Sequence, residues 1–442
     1  MAQTVNYGFS KPNKGVQNWD VDLNKNFDDI DTQIKNRENS ISTILATLGE
    51  LSPYGIEYTI STGAVVRIGL SADFDNIMPW AGMKRCVVDD DVNVLYYLDS
   101  DDSNKKADGT PSKLDGTDGQ VMVEIPAHYY KTVPTNNPDK IRIYVSMVPL
   151  ADYKIDPYFL NDDGTIAPKR YFSAFEGSIF DVSAGAYLLA DEQVADFTAG
   201  TGDKLCSIAG AKPCSGLTQN LTIGNSRLLA NNRGSKWQQL YFTAASCIQR
   251  LMAIEYGSLD IQSKLSQGVT NITDDGSTNM AVNTGATISL GNHSGEVSIA
   301  HPTTGQTTHP FSYRGIENFY GNIWPWVDGI NIKNLGVYLC TKGMFQSDKF
   351  DTNYVNTGIV LPNSSNYVQS LAYSEKYDFA FLPAAVGSSA KFDYFWQNGN
   401  GNFVARLGGR WSDGSMAGAF TWIVNIGSSS RDRYIGARLC AK

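Results

Sequence analysis

Tyr313-Arg314-Gly315-Ile316-Glu317-Asn318-Phe319-Tyr320-Gly321-Asn322-Ile323-Trp324-Pro325-Trp326-Val327-Asp328-Gly329 is the stretch on which the reading of this chain turns. Its glycines permit tight turns. Glu317, Asn318 and Asn322 can satisfy the buried backbone groups of an irregular loop, while Trp324 and Trp326 can anchor it. Loop-rich domains need internal fasteners of this kind, so a compact polar core is expected here, with Gly321 at one of its turns.

Downstream, Leu335-Gly336-Val337-Tyr338-Leu339 reads as a strand ending at Cys340, where a buried structural thiol is the expected role. Across residues 417–426, strand alternation puts Phe420, Trp422 and Val424 on one face and Ala419, Thr421, Ile423 and Asn425 on the other. The first set suits a core and the second solvent or ligand. Gly427-Ser428-Ser429-Ser430-Arg431-Asp432-Arg433-Tyr434 mixes small residues with two arginines and a tyrosine. That composition suits an adaptable binding surface, and equally an ordinary polar hairpin.

Upstream, apolar residues at helical spacing (Tyr241, Ala245, Ile248, Leu251, Met252) predict one or two helices within 224–257, packed against a sheet. Residues 54–160 alternate in short runs such as Val92-Asn93-Val94-Leu95-Tyr96-Tyr97-Leu98 and Ile141-Arg142-Ile143-Tyr144-Val145, broken by Gly, Asp and Pro. The acidic run 99–118 lacks the order of a calcium loop and reads as solvated.

Near the start, Leu23, Phe27, Ile30, Ile34, Ile41, Ile44, Leu48 and Leu51 step by fours and threes, with Arg37 in the one missing position. That is a heptad seam, and isoleucine at both core positions favours more than two strands. A homotrimeric coiled coil over 21–52 is therefore expected, ended by Gly49 and Pro53.

Composition bounds what the chain can do. With 442 residues a single core is too small a description, and roughly two to four units are expected. Forty-one glycines, 23 tyrosines, 19 phenylalanines and 8 tryptophans against 18% charged residues point to much β structure. A net charge of −9 argues against nucleic acid. The opening residues lack a secretion signal, and no apolar run of roughly 18 residues spans a membrane. Synthesis in a cytoplasm without membrane insertion is expected. Cys86, Cys206, Cys214, Cys247, Cys340 and Cys440 show no metal or disulfide spacing, and His128, His293, His301 and His309 fall in no ligand pattern. No metal, cofactor or catalytic residue is predicted, and the chain is read as not an enzyme.

Three stretches carry resemblances. Tyr7-Gly8-Phe9-Ser10-Lys11-Pro12 with Asn18-Trp19 and Asn26-Phe27-Asp28-Asp29-Ile30-Asp31 resembles the opening of phage tail-fibre and tail-spike proteins, which implies docking to a tail or baseplate protein. Asp118-Gly119-Gln120-Val121-Met122-Val123-Glu124-Ile125-Pro126 followed by His128-Tyr129-Tyr130-Lys131 resembles a segment recurrent in phage tail proteins. The 313–329 stretch resembles the signature of C-type-lectin-fold domains similar to formylglycine-generating enzymes, from which it departs at Pro325. That resemblance implies that Tyr171-Phe172-Ser173 and Ile435-Gly436-Ala437-Arg438-Leu439-Cys440 pair, joining the ends of a domain over 168–442.

Within that family, residues 406–439 resemble the variable proteins of diversity-generating retroelements. The resemblance implies a framework of Gly408, Gly409, Trp411, Gly414, Ala417, Gly418, Phe420 and 435–439. It leaves Arg410, Ser412, Asp413, Thr421, Ile423, Asn425, Ser430, Arg431, Asp432, Arg433 and Tyr434 as candidate variable, receptor-binding positions. Phe395, Trp396, Asn398, Asn400, Asn402 and Phe403 join them in a region over about 393–434.

The expected architecture is α+β and multidomain: a virion-anchoring segment (1–20), a trimeric coiled coil (21–52), a β-rich domain (54–165) and a C-type-lectin-like domain (168–442). The resemblances imply a phage tail receptor-binding protein whose partner is a host surface protein or glycan. A structural tail-tip or collar subunit, and an enzyme of the formylglycine-generating kind, are the competing readings.

Overall fold

The computed structural model describes residues 25–26, 28–38, 40, 54–69, 73–389 and 392–442. The chain divides into two units, Met1–Ser52 and Pro53–Lys442.

In the first unit, helix covers 25–26, 28–38 and 40. Thr32 Oγ1 donates back to Asp28 O at 2.8 Å, and Ser40 Oγ to Asn36 O at 2.9 Å, a local bond that slightly weakens helices. Ile30 and Ile34 are exposed. The expected α+β architecture with a long trimeric coiled coil is corrected here. The described helix is a short piece, in a segment whose Asn, Asp, Ser and Thr are weak helix formers, and the protein is mostly β. Leu23, Phe27, Ile41, Ile44, Leu48 and residues 1–20 lie outside the described residues.

In the second unit, the described α-helices are Ile223–Asn231 and Phe242–Tyr256. Phe242–Tyr256 is buried along nearly its whole length, with its polar Gln249 and Arg250 hydrogen-bonded to Ala419 O and to Asp156 in the interior, and ends on Gly257 at φ 57°. Thr222 caps Ile223–Asn231, accepting from Asn225 N at 3.2 Å.

A six-stranded sheet runs in the order Trp237–Gln239, Leu439–Ala441, Lys169–Ser173, Gln120–Pro126, Lys84–Val88, Val94–Tyr97. Gln120–Pro126 is central and buried on both faces. Alternation sends Val121, Val123 and Ile125 to the main core, and Met122 to a second core with Cys86, Val88 and Leu439. Cys440 pairs with Phe172 and Ala441 with Tyr171.

That sheet runs across the boundary expected at 165/168. Met122 pairs with Ser173 and Ile125 with Arg170, and one core runs from Tyr54 to Cys440.

The largest sheet follows the order Val355–Val360, Gly336–Leu339, Trp324–Lys333, Asn402–Leu407, Trp422–Ile426, Tyr394–Gln397, Asn366–Leu371, Pro383–Gly387, with Ile435–Gly436 parallel to Trp324–Lys333. Trp324–Lys333 is buried except at Lys333, so both of its faces are covered. One face meets the main core through Val327, Ala405, Leu407, Trp422 and Val424. The other forms a small core of Trp324, Trp326, Val404 and Ile423, roofed by Ile223 and Ile435.

Candidate functional site

The 313–329 stretch builds a buried polar knot. Glu317 accepts from Gly285 N, Thr287 N and Thr287 Oγ1, each at 2.7 Å. Asn322 Oδ1 accepts from Val282 N at 2.8 Å, and its amide donates to Glu176 at 2.9 Å. Asn318 accepts from Phe311 N at 3.2 Å and donates to Glu176 at 3.4 Å. Arg438 donates to the carbonyls of Glu317 at 2.5 Å, Asn318 at 2.9 Å and Ser173 at 3.2 Å. Asn318 and Asn322 sit at φ 46° and 57°, a region asparagine tolerates. Burial pushes the Glu176 carboxyl up to about 7 despite the nearby Arg438.

This knot sets the start of the Trp324–Lys333 strand. Trp326 Nε1 donates to Leu221 O at 3.0 Å, inward. Trp324 instead holds the rim of the small core, donating to Asp413 at 3.0 Å. Asp413 also accepts from Arg410 N at 2.9 Å and Arg410 Nε at 3.3 Å, and burial raises its pKa.

Around Trp324 the rings and guanidinium groups interleave. Arg406 lies 4.2 Å and Arg410 5.2 Å from the centre of its ring. Arg410 also stacks on Tyr434 at 4.2 Å, and Arg433 lies over Trp411 at 5.6 Å. Trp396 and Tyr434 flank Trp324 with ring centres 6.2 and 5.0 Å away. The half-buried members Trp396, Arg410, Asn425 and Tyr434 make this rim a surface of stacked cations and aromatics.

The sequence-predicted positions divide. Trp396, Arg410, Asp413, Asn425, Arg433 and Tyr434 meet at the rim, and Ser412 is half-buried beside it in sequence. Phe395, Thr421 and Ile423 are buried and do not reach the surface. Phe395 joins the main core, Ile423 the small one, and Thr421 Oγ1 donates to Met416 O at 2.8 Å. Asn402 and Phe403 pair with Lys333 and Ile332 at the far end of the strand from Arg406, about 13 Å away at the usual rise per residue. Asn398 and Asn400, both exposed, precede them in the turn.

In the 430–434 segment, Ser430 N donates to Gly427 O at 3.1 Å, and Asp432 Oδ1 accepts from Arg433 N at 2.7 Å. Arg431 is exposed and donates to Gln219 O at 3.0 Å. Arg433 is tied down by Asp274 at 2.8 Å and Thr278 O at 2.6 Å.

Sequence reasoning missed Arg406 and Asp274. Alternation places Val404 and Arg406 on one face, but not which face forms the rim.

A second missed group is His128, Asp156 and Cys247, whose polar atoms lie within 4.8 Å of one another in the interior. Arg250 donates to Asp156 and stacks on Tyr130 at 4.2 Å. Burial lowers the His128 pKa and raises that of Cys247, so the thiol is held protonated rather than as a nucleophile. All six cysteines are free and buried. Elsewhere a cleft of about 790 Å³ opens between Tyr130, Lys154, Leu160, Cys340, Met344 and Phe379.

No family model and no curated protein matches this chain. Among solved structures it is similar to three variants of a Major Tropism Determinant, P3c, U1 and M1, at 10, 11 and 12% identity. The matches cover 89, 88 and 88% of this chain and 72% of each of the others, with TM-scores of 0.27, 0.26 and 0.26. Scores this low transfer neither fold nor role. No described helix is long and apolar enough to cross a membrane.

Proposed function

We propose that this chain is a phage tail receptor-binding protein that attaches the virion to the host cell through the rim around Trp324, on a C-type-lectin-like scaffold. The observation that carries the reading is the surface itself: Arg410 stacked on the half-buried Tyr434 ring and over the edge-lying, buried Trp324, with half-buried Trp396 beside them, on strands that start from the Glu317–Asn322 knot. Tyrosine, tryptophan and arginine are the residue types that dominate binding energy at interfaces. The tail-like stretches at 7–31 and 118–131 support a place in the virion, with the N-terminus engaging a tail or baseplate protein.

The test uses the full chain as a competitor of phage adsorption on susceptible cells. The intact protein should coat the cells and block adsorption, and Trp396→Ala should lose both properties while keeping its urea midpoint. An intact chain that neither coats nor blocks overturns the adhesin in favour of a structural tail subunit.

A further inference from the structure

Arg406 differs from its neighbours in what balances its charge. Arg410 has Asp413 at 3.3 Å and Asp274 at 3.7 Å, and Arg433 has Asp274 at 2.8 Å and Asp275 at 3.6 Å. Arg406 is 2% exposed, yet no carboxylate lies within ion-pairing distance of it among the described residues. Its only described hydrogen bond runs from Nη2 to the neutral Asn425 Oδ1 at 2.5 Å, and its Nε has no acceptor. A guanidinium withdrawn from water ordinarily carries a paired anion. Burial here pulls its pKa down to about 9, against the opposing influence of Tyr434, Asp413 and Asp432, none of which pairs with it directly.

Asn425, which caps the group, is half-buried, as is Trp396 beside Trp324. A ligand reaching the guanidinium has to displace the Asn425 amide, its one described hydrogen-bond partner.

We infer that Arg406 is a ligand-binding residue whose missing partner is a carboxylate on an acidic sugar, a uronic or sialic acid of the host surface. The planar fork of arginine matches a carboxylate through two parallel hydrogen bonds. The carboxylate displaces the Asn425 amide from Nη2 and takes up the orphaned edge. A sugar suits the rest of the rim better than an acidic peptide: the half-buried Trp396 ring offers a flat apolar platform for the C–H face of a pyranose. This inference rests on the adhesin reading for its biological setting, not for its chemistry.

The full chain is titrated with N-acetylneuraminate, D-glucuronate, D-glucose, the methyl ester of N-acetylneuraminate and hexaglutamate, followed by saturation-transfer NMR and tryptophan fluorescence. At least one acid should bind saturably and its neutral counterpart not. Asn425→Asp supplies an internal carboxylate to Arg406, so it should keep or raise the urea midpoint and weaken acid binding on the order of tenfold or more. Asn425→Ala removes the cap and should bind as well as the natural chain or better. Arg406→Lys keeps the charge without the fork and should bind more weakly. Equal responses to acidic and neutral sugars, no response to any sugar, binding of hexaglutamate alone, or unaltered binding by Asn425→Asp each overturn the inference. Cell coating that persists while the sugars fail to bind separates this failure from that of the adhesin reading; acid binding by a chain that coats no cell separates them the other way.

Discussion

Glu176 gives the fold a pH dependence of definite sign. Its carboxyl is fully buried, accepts from the Asn318 and Asn322 amides, and is raised from an ordinary value near 4.5 to about 7. The folded protein thus holds this proton more tightly than the unfolded chain. The stabilising contribution is complete below about pH 4.5 and is lost as pH rises towards 7 and beyond. At about 1.36 kcal/mol per pH unit the whole gap is worth about 3 kcal/mol, of which about 2.5 kcal/mol falls between pH 5 and pH 8. Glu176→Gln cannot titrate. Urea unfolding of both proteins at pH 5 and pH 8 should show the variant gaining on the natural chain by about 2 kcal/mol across that interval. Its one cost, the long bond from Asn318, is independent of pH. Parallel pH profiles for the two proteins would refute the assignment of the raised carboxyl to Glu176.

Other substitutions probe the same scaffold. Gly321 has φ 77°, and a Cβ there would lie 2.8 Å from Val269 O, so Gly321→Ala should cost about 1–3 kcal/mol in urea unfolding. Asp413→Ala strands the Trp324 indole N–H and two donors of Arg410; a loss of about 2–4 kcal/mol is expected, with Asp413→Asn recovering part of it because its amide oxygen still accepts from Trp324. All six cysteines are buried, so a thiol reagent should label none of them in the native protein at neutral pH and all of them in 6 M guanidinium; rapid native labelling would contradict the packing.

The parts of this architecture that sequence discloses are those fixed by local chemistry. Glu317, Asn318 and Asn322 announce a polar knot because buried amides and carboxylates beside glycine turns have few other uses. The alternation of Phe420, Trp422 and Val424 is visible because side chains in a strand repeat every two residues. What escapes is set by distant partners. Thr421 and Ile423 read as solvent-facing, yet Ile223 and Ile435 roof that face, and nothing near residue 423 foretells a roof contributed from 200 residues upstream. His128, Asp156 and Cys247 meet only through topology. The heptad at 23–51 declares which positions are apolar, but periodicity alone does not say how far helix extends through a segment rich in Asn, Ser and Thr.

The two-faced sheet also constrains which positions could change if this rim is diversified. Phe395 and Ile423 fill cores, where even a methylene is felt, and Thr421 is fully buried; replacing Phe395 or Ile423 by a small polar residue should cost about 2–5 kcal/mol. Trp396, Arg410, Ser412, Asn425 and Arg431 are half-buried or exposed, where most substitutions fall within about 0.5–1 kcal/mol, Arg410 costing more through its bonds to Asp413 and Asp274. Asp413, Arg433 and Tyr434 are intermediate, held by bonds that a change would break. Sequences of this gene from sibling phages should therefore vary at residues 396, 410, 412, 425 and 431 while 395, 421 and 423 stay apolar or fixed. Equal variation at the core and rim positions would mean that the sheet does not carry its binding surface on this face, and invariance throughout would mean that the surface is not diversified at all.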